Sequence, residues 1–88
     1  MTLSAVSTLS VRVLLFASYA EALGREALAL DLPAPATVGT LIERLRALAG
    51  GRALPERPLV AVNLAHARAD TPLAEGDEVA ILPPLAGG

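Results

Sequence analysis

The segment "TVGTLIERLRALAGG" (37–51) decides the architecture. Val38, Leu41, Ile42, Leu45 and Leu48 recur at three- and four-residue intervals, the spacing that lines one side of an α-helix. Glu43, Arg44 and Ala47 fall on the opposite side. Thr37 stands where a helix N-cap belongs, and Gly50–Gly51 supplies a stop. The spacing predicts one amphipathic helix over about 38–49. A helix that is apolar along one stripe must bury that stripe, and the surrounding segments read as strands. The helix is therefore expected to lie on a sheet.

Working outward, "SVRVLLFAS" (10–18) is rich in β-branched and apolar residues and reads as a strand. "REALALDLP" (25–33) alternates Leu28, Leu30 and Leu32 on one face and is ended by Pro33. Between them, Ser18 as N-cap, Glu21 three residues on and Gly24 as a stop predict a short capped helix. Past the main helix, "RALPERP" (52–58) reads as a loop and "LVAVNLA" (59–65) as a strand with Val60, Val62 and Leu64 on one face. A short edge strand follows, then a tight turn at Glu75–Gly76–Asp77, then a last strand in "EVAILP" (78–83). The order β-α-β-α-β-β-β with one main helix defines an α+β domain, a mixed sheet gripping a helix: the β-grasp, or ubiquitin-like, architecture. The domain is expected over residues 10–83, after a loose N-terminal extension (1–9) and before a flexible reactive tail (84–88).

Composition removes several function classes. A net charge of -2 without a basic block argues against nucleic acid as a partner. The longest wholly apolar run, Val13 to Ala17, is too short to span a bilayer, and "MTLSAVSTLS" lacks a basic n-region, so neither membrane nor secretion is expected and the location is read as cytoplasmic. The chain has no cysteine, which excludes disulfides, thiolate catalysis and zinc–thiolate sites. It has no lysine either, so no side-chain amine can form a Schiff base or accept an acyl group. His66 is the only histidine and has no companion ligand, so no metal is expected. Glu75, Asp77 and Glu78 cluster where a turn wants Asp and Gly for backbone reasons. Arg44 and Arg46, with Glu43 nearby, read as a solvated helix side with a weak ion pair.

Two features remain. With Val11, Val13, Leu15, Val60, Val62, Val79 and Ile81 under the helix, a second apolar set faces away from it: Leu14, Phe16, Ala61, Ala80 and Leu82. A sheet with one solvated face should alternate apolar with polar residues, and these strands largely do not, so a partner-binding surface is expected. The other feature is the ending "PPLAGG" (83–88), which leaves the terminal carboxylate as the reactive group by elimination. Gly88 has no β-carbon to obstruct an activating nucleotide, and Gly87 admits the backbone angles of a narrow channel. Pro83 and Pro84 stiffen the base and Leu85 offers an apolar anchor. Extended, the five residues from Pro84 to Gly88 reach about 17 Å.

"VLLFASYAEALGRE", "VAVN" and "EGDEVAILPPLAGG" resemble the small, sulfur-carrying subunits of molybdopterin synthases, over roughly residues 11–88. The resemblance implies that Gly88 is adenylated by a ubiquitin-activating-type adenylyltransferase using ATP. It is then converted to a thiocarboxylate with sulfur relayed from a cysteine desulfurase or a rhodanese-type protein. It further implies that the tail enters the large subunit, in a heterotetramer, and that sulfur passes to a cyclic pyranopterin to form the molybdopterin dithiolene. Gly87 would thread the channel, and Leu14, Phe16, Ala80, Leu82, Pro83, Pro84 and Leu85 would contact the partner. Such a chain binds no cofactor and is not catalytic alone. Three alternatives stay open: a carrier for thiamine or tRNA thiolation, a protein modifier joined through Gly88, and an interaction module with an inert tail.

Overall fold

The computed structural model describes residues 7–84. Its elements are β1 (Thr8–Leu15), α1 (Ala17–Leu23), β2 (Ala27–Pro33), α2 (Val38–Arg46), a 3-10 turn (Gly51–Ala53), β3 (Leu59–Val62), β4 (Ala65–Ala67) and β5 (Glu78–Leu82). Among the described residues the strands form one five-stranded sheet in the order β2-β1-β5-β3-β4. β5 runs parallel to β1, and the other neighbours are antiparallel. This is the expected β-grasp: the chain makes a hairpin, crosses over through α2, and inserts its last strand between the two halves already laid down.

The alternation in the strands places the core. Val11, Val13 and Leu15 of β1, Val60 of β3, and Val79 and Ile81 of β5 are buried on one face, with Val62 half-buried against them. Val38, Leu41, Ile42 and Leu45 of α2 cover that face. Thr37 caps α2 as expected: its Oγ1 accepts from the Thr40 amide at 3.3 Å, and its own amide donates to Thr40 Oγ1 at 3.2 Å. The reciprocal pair satisfies two donors that the first turn would otherwise leave open.

Four expectations are corrected. β1 begins at Thr8, and Leu9 is buried, so the expected N-terminal extension gives up its last residues to the sheet; residues 1–6 lie outside the described ones. α1 is capped at Phe16, not Ser18, and without a side-chain hydrogen bond: the Phe16 carbonyl accepts from the Tyr19 amide at 3.1 Å. α2 ends at Arg46, so Leu48 falls beyond the helix and is exposed. The glycine pair is therefore not the helix stop. A β-carbon on Gly50 would sit 2.0 Å from the Ala22 carbonyl oxygen, and one on Gly51 2.0 Å from that of Leu45. These glycines let the backbone after α2 press against α1 and against the end of α2 itself. Finally, β3 stops at Val62, and Leu64 belongs to a turn rather than to the buried face.

Candidate functional site

The sheet register assembles the uncovered face row by row. Ala27 pairs with Leu14, Leu14 with Ala80, Ala80 with Ala61 and Ala61 with His66, giving one row across all five strands. One row further toward the end of β5, Leu82 pairs with Leu59. Phe16 follows Leu15, which is level with Ile81, and so extends this second row beyond β1. One row in the other direction stand Ala29, Arg12 and Glu78. The face is thus apolar where β5 ends and polar where β5 begins.

None of these apolar side chains is fully covered. Leu14, Ala61, Ala80 and Leu82 are half-buried, while Phe16 and Leu59 keep 43% and 46% of their surface exposed. Phe16 lines an open depression of about 470 Å³ together with Leu14, Ala20, Ala27, Arg12 and Glu26, among others. The face therefore has relief, with an aromatic ring standing next to a hollow. Leu59 is the contributor that the sequence reading omitted, although its position two residues before Ala61 puts it on the same face of β3.

β5 is the central strand, flanked by β1 and β3, so the segment leaving Leu82 starts at the apolar end of this face. Pro83 is half-buried there and Pro84 is exposed. Neither proline has an amide hydrogen to extend the ladder, which explains why pairing stops at Leu82. Leu14, Phe16, Ala80, Leu82 and Pro83 are thus brought together. Leu85, Gly87 and Gly88 lie outside the described residues.

Two of the turn carboxylates have structural employment. Glu75 Oε1 accepts from the Ser10 amide at 2.8 Å, and Asp77 Oδ2 from the Ala74 amide at 2.8 Å. His66 sits exposed on β4 at the sheet edge. Among the described residues no group of three His, Cys, Asp or Glu side chains could hold a metal. Arg46 does not pair with Glu43; its Nε donates to the Leu54 carbonyl at 2.9 Å, and Nη1 lies 3.9 Å from Glu56. Among the described residues no helix is long and apolar enough to cross a membrane.

Sheet order, parallel central pair and gripped helix define the class: a β-grasp protein of the ubiquitin-like kind. The ThiS family model matches residues 13–88, and the chain belongs to the ThiS family. Among solved structures, SAMP1 from Haloferax volcanii is 31% identical, with 90% of this chain and 99% of that one covered and a TM-score of 0.77. A putative molybdopterin converting factor subunit 1 from Pyrococcus furiosus is 25% identical, with 88% and 99% covered and a TM-score of 0.76. One chain of a complex of subunits 1 and 2 of molybdopterin-converting factor from Helicobacter pylori shares the fold at 23% identity, with 91% of this chain and 100% of that one covered and a TM-score of 0.67. No curated protein matches the chain.

Proposed function

We propose that this chain is a sulfur carrier that bears a thiocarboxylate on Gly88 and donates the sulfur, inside a larger protein, to the pyranopterin precursor of molybdopterin. The observation that carries the reading is the apolar end of the open face, which meets the root of the segment leading to Gly87–Gly88. A partner docked on Leu14, Phe16, Ala80 and Leu82 would receive that segment directly. ATP activation converts the Gly88 carboxylate into an acyl adenylate and releases pyrophosphate. The terminal sulfur of a persulfide on the relay protein then displaces AMP to give an acyl disulfide, and a thiol reduces its S–S bond, forming a new disulfide and releasing the thiocarboxylate. The absence of lysine and cysteine means that no side-chain amine or thiol of this chain can capture the activated acyl group. In this reading Pro83 and Pro84 stiffen the root of the segment, Leu85 would anchor it in the partner, and Gly87 would thread the channel. The chemistry after docking belongs to the partner. The resemblance in fold to a molybdopterin converting factor subunit supports this choice of pathway, and the need for ATP favours the cytoplasm.

A second reading is a modifier joined through Gly88 to lysines of other proteins. The 31% identity to SAMP1, in the same group of structures as a small archaeal modifier protein 1, supports it. One experiment separates the two. The chain is incubated with its cognate activating enzyme, ATP and sulfur source, and its intact mass is measured. A thiocarboxylate is expected; recovery only as lysine-linked adducts favours the modifier. A variant carrying one residue after Gly88 should not be converted, because the reactive carboxyl has moved and gained a side chain. Deleting Gly88 should also abolish conversion, by shortening the reach by about 3.5 Å when misplacement by ~1 Å already costs about 100-fold. Full conversion of the extended chain would overturn the carrier reading.

A further inference from the structure

β3 and β4 are joined by the two-residue turn Asn63–Leu64, in which both residues have left-handed backbone, φ 50° and 73°. Hairpin turns of this kind require positive φ at both positions, and the residue that suits the second is glycine. Asparagine tolerates the conformation; a bulky leucine does not, because its Cβ crowds the following carbonyl. Leu64 is nevertheless there, and it is 92% exposed, the most exposed of the large apolar side chains described. Its side chain can return almost nothing to the fold it strains.

The turn that displays Leu64 is also held firmly. The Asn63 amide donates to the Glu78 carbonyl at 2.7 Å, Asn63 Oδ1 accepts from the Glu78 amide at 2.9 Å, and Asn63 Nδ2 donates to Asp77 Oδ1 at 2.9 Å. The hairpin tip is thereby fastened to the start of β5. A strained backbone kept in place by its surroundings, carrying an apolar side chain into water, is the pattern of a preorganised contact.

We infer that Leu64 is a second anchor of the docking face, seated in an apolar recess of the same protein that receives the tail; this rests on the proposed carrier reading. Continuity argues for a single partner. Val62 pairs with Ala65, so Leu64 stands level with Asn63 at the hairpin tip, two residue rises past Ala61 and four past Leu59, about 7 Å and about 13 Å further along the sheet. An ordinary interface covering about 800 Å² per partner is roughly 30 Å across and takes in both ends. Charge defines the rim of the recess. Asp77 and Glu78 both bond to Asn63 at the hairpin tip, so the partner should surround its recess with basic side chains. Phe16 and the root of the tail both attach at one end of the face, so the domain could still tilt on the partner. A second anchor at the opposite end fixes the angle at which the tail enters.

The test titrates the full-length chain into the cognate large subunit by calorimetry, using wild type, Leu64→Gly, Leu64→Ala and Phe16→Ala, and records Tm for each. Both Leu64 variants should weaken Kd about tenfold. Leu64→Gly should melt at or above the wild-type temperature, because glycine accepts the turn conformation. A lower Tm for Leu64→Gly would mean that the side chain serves the fold, and would overturn the inference. So would loss of affinity in Leu64→Gly alone, which would implicate turn rigidity. Weakened binding by Phe16→Ala with both Leu64 variants unchanged removes the second anchor and leaves the docking face standing. If no variant changes Kd, the docking face falls and the anchor with it.

Discussion

Replacing Phe16 by alanine tests whether the open face binds a protein. Phe16 keeps 43% of its surface exposed. A phenylalanine offers about 200 Å², so roughly 85 Å² remains to be covered by a partner. At about 25 cal/mol per Å² this is worth about 2 kcal/mol, a roughly 30-fold rise in Kd. The covered part of the ring also matters, because its loss costs the domain up to about 3 kcal/mol by the same measure, an upper bound set by the extended-chain reference. The start of α1 should survive, since Phe16 serves it through its backbone carbonyl, which accepts from the Tyr19 amide at 3.1 Å. The assay is isothermal titration against the large subunit, run where circular dichroism finds both proteins folded. A Kd within about threefold of wild type, with folding intact, would refute the assignment of this face.

Two stability predictions examine the framework that holds the face. Leu45 is fully buried under the sheet, so Leu45→Asp should cost several kcal/mol and unfold most of the population, read by far-ultraviolet circular dichroism. Gly51→Ala and Gly24→Ala separate two roles of glycine. At Gly51 a new Cβ meets the Leu45 carbonyl oxygen at 2.0 Å, which should cost about 3 kcal/mol in urea titration. At Gly24, where φ is 77° and nothing lies within 4 Å, only the dihedral cost of about 1 kcal/mol should appear. Equal losses at the two positions would refute the close-packing role given to Gly51.

The periodic segments were legible because their burial is one-sided. A repeat of three and four names the buried stripe of α2, and a repeat of two names both faces of β1 and β5, including the apolar face that points away from the helix. What could not be read is burial without a period. Leu54 is almost wholly covered, yet it stands alone between Ala53 and Pro55 in a segment that reads as loop. Tyr19 and Leu73 are buried for the same reason, each covered by neighbours that topology rather than periodicity brings to it. The end of α2 was misread because a glycine pair after a helix signals a stop and a close approach in the same letters. Ser18 was misread because a polar residue near a helix start need not be its cap. On the candidate site, parity along β3 would have added Leu59 to the face. Leu64 was hidden because a leucine in a left-handed turn carries no local signal of that turn.

The parallel pairing of β1 with β5 has a mechanical consequence. Residues Arg12 to Leu15 lie beside Glu78 to Ile81, with the strand that opens the fold and the strand that leads to the tail running the same way. Tension applied between the two ends of the domain drags these neighbours past each other lengthwise. Their cross-links then resist together, whereas an antiparallel hairpin pulled at its open end parts one link at a time. Rupture under load is governed by the rate of the first break, and simultaneous loading raises that barrier. A pull between the start of β1 and the end of β5 is therefore taken along the whole parallel seam at once.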